Sequence, residues 1–319
     1  MRRIVPRDIK KQAVSALADQ RTDYRRLVFL HAAVSTGFLL IISLIGLVID
    51  RSLVNTQGLD GIGKAGLLKS IYTVCMLAGN LLLPFWQAGI TYTSVRVARR
   101  QNAAFPMLTR GFYRLVSLAG YYFLLILLLF AAAMFCFYAV ATPFICVPLP
   151  KELSAAIQSL DLTDAAQIIA FQEEHFLEIL LFSIPFIILY ICVFGVVAIA
   201  LNYRFFMCSY LLLEDERPGA LAVFGMSSRM TKGERKNLFL LDLSFWWYHI
   251  LTALISLIVY VPDILLAAGV ILPASYETAS FLTYLGYMVC YLILTGLAGA
   301  YYQTSLACAY EMLKQKNEE

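Results

Sequence analysis

Long apolar runs, not alternation at helical or strand period, dominate the chain. Six of them reach about 20 residues or more, at 27–49, 69–95, 115–143, 177–201, 238–261 and 280–310, the length a helix needs to cross the hydrocarbon core of a bilayer. Hydrocarbon offers backbone amides and carbonyls no partner, so each span must satisfy its own. The runs are about twice as long as a membrane β-strand, which leaves the α-helix. The pattern predicts an all-α polytopic membrane protein of about six transmembrane helices. A basic amphipathic segment would occupy 1–26, the transmembrane domain 27–313 and a short tail 314–319.

The polar segments between the runs set the expected topology. Of the 25 lysines and arginines, all but Arg51, Lys64, Lys69 and Lys151 fall on segments that would share one face. Cytoplasmic flanks retain positive charge during insertion, so both termini are expected inside. Glu152, Asp161, Asp164, Glu173 and Glu174 fall on the opposite side. Residues 7–26 place Ile9, Ala13, Ala16 and Leu17 on one side of a basic helix. Such a helix would lie among headgroups with anionic lipid as its partner, or else serve only to set topology. Nucleic acid is not an expected partner.

Three inner segments end alike, at Arg26-Leu27-Val28-Phe29-Leu30, Arg114-Leu115-Val116-Ser117-Leu118 and Asn237-Leu238-Phe239-Leu240-Leu241. They are compatible with a threefold repeat of basic helix plus two-span hairpin, and equally with chance likeness of apolar sequence. The outer loop 144–176 is expected to contain a helix capped by Asp161 or Thr163. The apolar loop 262–279 would lie flat on the membrane or re-enter it, with breaks at Pro262 and Pro273.

Composition agrees with the pattern: 61% of residues are hydrophobic and 14% charged, against roughly a quarter charged in soluble domains. The seven cysteines are scattered and form neither a disulfide framework nor a zinc motif. The first apolar run follows a long basic stretch, which reads as a retained span and not a cleaved signal. Residues 61–66 match G-x-G-x-x-G, but without the strand and helix that give that motif meaning they are expected to form a flexible loop. No P-loop, zincin or nucleophile-elbow pattern is present. A non-enzymatic protein without catalytic residues, cofactor or metal is expected.

Polar groups inside the spans carry the remaining information, because an ionisable group in hydrocarbon is costly and tends to face a bundle interior. On a continuous fifth span, Asp242 and His249 would lie on one stripe about 10 Å apart, too far for direct proton exchange. Asn80 and Gln87 repeat that spacing on the second span, either side of Pro84, and Gln303 falls at similar depth in the sixth. Asn80, Gln87, Asp242, His249 and Gln303 therefore form a candidate cluster, either lining a solute or proton path or acting as hydrogen-bond glue. Gly296 and Ala300 have the spacing that permits close helix approach. Phe245-Trp246-Trp247-Tyr248 fits an aromatic belt.

The third inner segment carries a resemblance. Leu213-Glu214-Asp215, Ala220-Leu221-Ala222, Ser227-Ser228-Arg229-Met230-Thr231-Lys232-Gly233 and Phe239-Leu240-Leu241-Asp242-Leu243-Ser244-Phe245 are similar to an uncharacterised bacterial integral-membrane family of Firmicutes type, a domain of unknown function. Weaker likeness extends to Ile9-Lys10-Lys11-Gln12-Ala13 and to residues 105–112. Trp246 stands where that family would have a small residue. The resemblance implies a multi-span protein of the bacterial cell membrane and no agreed activity. It singles out Ser228, Arg229, Lys232 and Gly233 with Asp242, and suggests that Asp242 pairs with Arg229 or Lys232. Two functions stay open: binding or transport of a small solute or lipid, including support of envelope homeostasis, and a scaffold whose basic loops dock a membrane or cytoplasmic protein.

Overall fold

The structure is a computed structural model describing residues 4–19, 21–54, 59–148, 150, 153–154, 157, 167, 171, 174–214, 218–270 and 273–318. The expected caps Asp161 and Thr163 lie outside the described residues. The chain is helical throughout its described elements. In order these are α1 (Pro6–Asp19), α2 (Arg21–Val54), α3 (Leu59–Ala98), a 3-10 turn (Phe105–Thr109), α4 (Arg110–Tyr113) and α5 (Leu115–Ile145). Next come α6 (Phe176–Phe205), α7 (Cys208–Leu213), α8 (Ala220–Met230), α9 (Arg235–Leu243), α10 (Trp246–Leu257), a 3-10 turn (Ile258–Tyr260) and α11 (Val261–Ala267). The chain closes with α12 (Pro273–Leu294), a π-helical segment (Thr295–Gly299) and α13 (Ala300–Glu318). Among the described residues, six segments are long and apolar enough to cross a membrane: Tyr24–Gly46, Gly66–Ala98, Leu115–Ile145, Phe176–Leu213, Trp246–Ala267 and Thr278–Glu318.

Several boundaries differ from the sequence reading for identifiable reasons. Residues 61–66 are not a loop but the first turns of α3. Pro262 and Pro273 open α11 and α12, because a proline in the first helical turn gives up an amide that has no partner there anyway. The tail expected from 314 continues α13 to Glu318. The fifth span starts at Trp246 and not at Leu238, since α9 ends at Leu243 and Ser244 and Phe245 separate it from α10. At that break the Ser244 hydroxyl donates to the Leu241 carbonyl at 2.5 Å, and Lys10 Nζ donates to the Ser244 carbonyl at 3.0 Å. A cation thereby sits on the C-terminal end of α9, where the helix dipole favours it.

The chain divides into two compact units, Met1–Ala119 with Phe205–Glu319, and Gly120–Arg204. In the larger unit, α1 buries the four residues its periodicity picks out, Ile9, Ala13, Ala16 and Leu17. They are covered by protein. Ala16 and Leu17 join Tyr24, Leu27, Val28, Ile90, Val97, Leu108 and Ala300 in one buried cluster. The turn at Phe105–Thr109 lies directly on α3. A Cβ on Gly89 would fall 1.8 Å from the Leu108 carbonyl oxygen, and one on Gly111 1.9 Å from that of Phe85, so only glycine allows this approach of two backbones. Helix α3 then ends in a Schellman motif, with the Gln101 amide on the Arg96 carbonyl and the Arg100 amide on that of Val97, both at 2.9 Å. Its left-handed residue is Arg100, at φ 58°, where glycine is usual.

The smaller unit holds most of α5 and α6 and is knitted by aromatic side chains. Phe137 meets Phe186 at 5.7 Å and Tyr190 at 6.1 Å edge to face, and Phe144 meets Phe182 at 5.0 Å and Phe186 at 5.2 Å. Such pairs add about 0.5–1.5 kcal/mol each beyond area burial.

Candidate functional site

A cavity of about 410 Å³ lies inside the larger unit, between α2, α3, α10, α12 and the start of α13. Its polar lining includes His31, Asn80, Gln87, Tyr248, Tyr287, Tyr291 and Gln303. Regular winding is interrupted on both sides of it. Pro84 in α3 leaves the Asn80 carbonyl without its i+4 amide donor, and Thr295 and Gly299 bracket the π-helical segment opposite. Such π segments recur at functional sites because they re-aim side chains that a regular helix would bury. Gly296 sits close to the Phe29 ring, 2.9 Å from where a Cβ would stand, in keeping with its small-residue spacing.

The hydroxyls and amides around the cavity divide into spent and unspent. Ser35 donates to the His31 carbonyl, Thr36 to Ala32 and Thr91 to Gln87, at 2.8, 2.8 and 3.2 Å. One Asn80 amide hydrogen goes to the Met76 carbonyl at 2.9 Å. The side-chain amides of Gln87 and Gln303 bond to no described residue. His31 is 7% exposed and its Nε2 has no hydrogen-bond partner among the described residues. Its ring is stacked on Trp86, with centroids 5.5 Å apart and planes 4° from parallel, while Trp86 Nε1 donates to the His31 carbonyl at 3.2 Å. Both ring and backbone of His31 are therefore pinned, with one nitrogen left over.

Three residues of the expected cluster, Asn80, Gln87 and Gln303, meet in this cavity, and two do not. Asp242 and His249 form a separate pair, Nε2 to Oδ1 at 3.0 Å, and Tyr302 donates to the same Oδ1 at 2.8 Å. The break at Ser244 and Phe245 folds an expected separation of about 10 Å down to direct contact. Asp242 takes these partners in place of Arg229 or Lys232, and Arg229 donates to its own helix at the Gly225 carbonyl at 3.4 Å. Phe245 is buried at 1% between Tyr301 and Tyr302, whereas Trp246 is 57% exposed. The aromatic run is thus half core and half periphery, and the bulky Trp246 disturbs no packing.

Ser228, Arg229, Lys232 and Gly233 form the corner between α8 and α9. Gly233 takes φ 85°, and the Ser228 carbonyl accepts from Arg235 at 3.3 Å. The buried anchors of this corner are neighbours not singled out from sequence. Ser227 Oγ accepts the Met207 amide at 3.2 Å, and Thr231 donates to the Ser227 carbonyl at 2.9 Å.

Two carboxylates organise the basic end of the unit. Glu214 is held by Lys314 at 2.5 Å and by Arg99, which also bridges to Glu311 at 2.7 Å. Glu234 accepts from Lys316 and Asn237 at 2.7 Å and from the Ile4 amide at 3.3 Å. Burial works to raise both acids, but the bonds from Lys314 and Arg99 in one case, and from Lys316 and Asn237 in the other, outweigh it and hold both below the usual carboxylate range. His31, Tyr287, Tyr291 and Tyr302 are site residues that sequence reasoning missed. His31 was visible in principle, as an ionisable residue inside the first span.

A family model covers residues 4–317 of the chain. The chain belongs to the family described as "Protein of unknown function (DUF975)". The matched range includes residues 213–245. No curated protein and no solved structure gives a significant match. Among the described residues, no group of three histidines, cysteines or carboxylates is placed to hold a metal ion, and all seven cysteines are free.

Proposed function

We propose that this membrane protein binds, and passes across the bilayer, a small uncharged polar solute in the cavity lined by His31, Asn80, Gln87 and Gln303. The observation that carries the reading is an intramembrane cavity in which amides and one buried imidazole nitrogen remain without partners. Unspent donors and acceptors in a low-dielectric site favour an occupant that completes them. Among the described residues the lining contains no carboxylate, lysine or arginine, so a charged occupant would be uncompensated there. Three tyrosine faces suit a ring or polyol. This is a non-enzymatic role in a bacterial cell membrane, with the basic face and both termini in the cytoplasm.

Native mass spectrometry of the protein extracted gently from its own membrane tests it. A stoichiometric neutral solute, retained by wild type and lost in Gln87→Leu and Gln303→Leu, is the expected result. An empty cavity in wild type, or equal retention by the variants, overturns it.

The scaffold reading is carried by one observation, the exposure of Arg229 and Lys232 side by side at the α8–α9 corner. Charge reversal at both would then abolish co-purification of a partner protein while cavity variants leave it intact.

A further inference from the structure

A second and larger cavity, of about 790 Å³, opens on the basic face between α1, the end of α3 and α13. Its polar lining includes Lys11, Gln12, Ser15, Arg100, Gln315 and Lys316. Two of the cations there are poorly compensated. Lys11 has no ionic or hydrogen-bond partner among the described residues, and Arg100 reaches Asp19 only at 3.9 Å and Ser15 Oγ at 3.3 Å. The lining carboxylate, Glu311, is engaged by Arg99, and Lys316 by Glu234, so neither alters the surplus. The backbone supplies a separate argument. Arg100 occupies the left-handed position that closes α3, where glycine terminates a helix without penalty. A strained arginine serves helix termination worse than glycine does, which ties its presence to the guanidinium it projects. The cavity also lies at the right depth, since the second span ends at Ala98, two residues before Arg100.

We propose that this cavity binds a phosphate group through Arg100, Lys11 and Ser15, with Gln12 and Gln315 as further donors. Guanidinium, ammonium, hydroxyl and amide donors converging beside a membrane boundary match the oxygens of a phosphate, and Arg100 offers a bidentate fork. The phosphate belongs either to an anionic lipid headgroup or to a soluble phosphate-bearing solute. This inference is independent of the neutral-solute cavity, with which it shares no lining residue.

The test uses the full chain in nanodiscs. In discs of equal phosphatidylglycerol and phosphatidylcholine, native mass spectrometry should show one retained phosphatidylglycerol per protein, and Lys11→Gln with Arg100→Gln should reduce that retention at least tenfold. In pure phosphatidylcholine discs, calorimetric titration with inorganic phosphate reads the soluble alternative, as saturable binding lost in the same double variant. Arg100→Gly keeps the test sound if the double variant folds poorly, because it relieves the strained position while removing the guanidinium. It should melt no lower than wild type and still lose binding. Arg26→Gln with Lys236→Gln removes equal charge elsewhere and should bind as wild type does. Absence of phosphate binding in both arms overturns the proposal. So does a loss of equal size in the Arg26 and Lys236 control, which would reduce the effect to diffuse surface attraction.

Discussion

The basic end of the larger unit and the cavity further into its spans are built from the same kinds of residue, yet they differ in which polar groups they pair. At the basic end Thr93, Ser94, Ser227, Thr231, Thr304 and Ser305 are fully buried. Their hydroxyls are engaged: Thr93, Ser94, Thr231, Thr304 and Ser305 donate to carbonyls, and Ser227 accepts an amide. Both carboxylates there are clasped by cations. Around the cavity, by contrast, the Gln87 and Gln303 amides and the His31 Nε2 are left over. Lipid tails give helices little hydrophobic reason to associate, so close backbone approach and completed polar pairs must hold them. The basic end meets that requirement for its serines, threonines and carboxylates, although the Tyr24 and Tyr310 hydroxyls are buried there without a hydrogen-bond partner among the described residues. The cavity layer leaves two side-chain amides and an imidazole nitrogen unpaired around an open volume, which is what marks it as a candidate site.

The comparison breaks most easily at the glycines. Gly89→Ala or Gly111→Ala would force the 105–113 segment off α3 and cost about 3 kcal/mol or more, the upper range for overpacking. Thermal unfolding in detergent reads this, and both layers should fail together. Glu214→Ala ranks next. It strands Lys314 and leaves Arg99 with Glu311 alone, a loss of up to about 3 kcal/mol for a broken, largely buried pair.

The pH dependence of the Glu214 pair has a definite sign. A carboxylate held below its ordinary value of 4.5 contributes stability that is present above that value and lost as pH falls through the lower folded one. Wild type should therefore lose melting temperature on acidification below about pH 4.5, and Glu214→Gln should lose less over the same range, while starting lower.

At the cavity the sign reverses. His31→Leu replaces an unsatisfied buried nitrogen by carbon and should leave stability unchanged or raise it by up to about 1 kcal/mol, while solute retention disappears. A fall in stability as large as that of Glu214→Ala would place His31 with the structural glue. The smallest effect belongs to Asp242→Asn, which keeps an acceptor for Tyr302. His249 is largely exposed, with its side chain 45% accessible, so the change should cost under about 1 kcal/mol. Normal solute retention in that variant would confirm that the pair stands apart from the cavity.

Much of the scaffold could be read from the chain because its signals are long. Runs of 20 apolar residues and the 3.6-residue stripe of α1 survive uncertainty of a residue or two. The candidate cluster was legible by depth, and three members meet because Asn80 and Gln87 lie seven residues apart on one face of α3 while the π-helical turn before Gln303 brings that residue to the same cavity. Asp242 and His249 escaped because the break between α9 and α10 contains neither proline nor glycine. A serine hydroxyl turned back onto its own helix, with Lys10 arriving from more than 200 positions away, leaves no local mark. The apolar face of α1 was legible, but what covers it was not, since an amphipathic stripe looks the same whether protein or headgroups lie opposite. His31 shows that a lone polar residue in a span carries information even when no spacing pattern includes it.

The π-helical turn at Thr295–Gly299 sets the phase of everything after it. One surplus residue in that turn advances the following helix by roughly 100° about its axis and about 1.5 Å along it. Downstream of it, Tyr302 reaches Asp242, Gln303 meets the cavity, Glu311 and Lys314 reach Arg99 and Glu214, and Lys316 reaches Glu234. All of these registrations share a single angular setting. Deleting the outward-facing Leu297, 72% exposed, would let the turn wind regularly and rotate the whole terminal helix like a key in a lock. Cavity, aspartate pair and both carboxylate clasps would be misaligned in one step, so the two layers are geared to each other through a single turn.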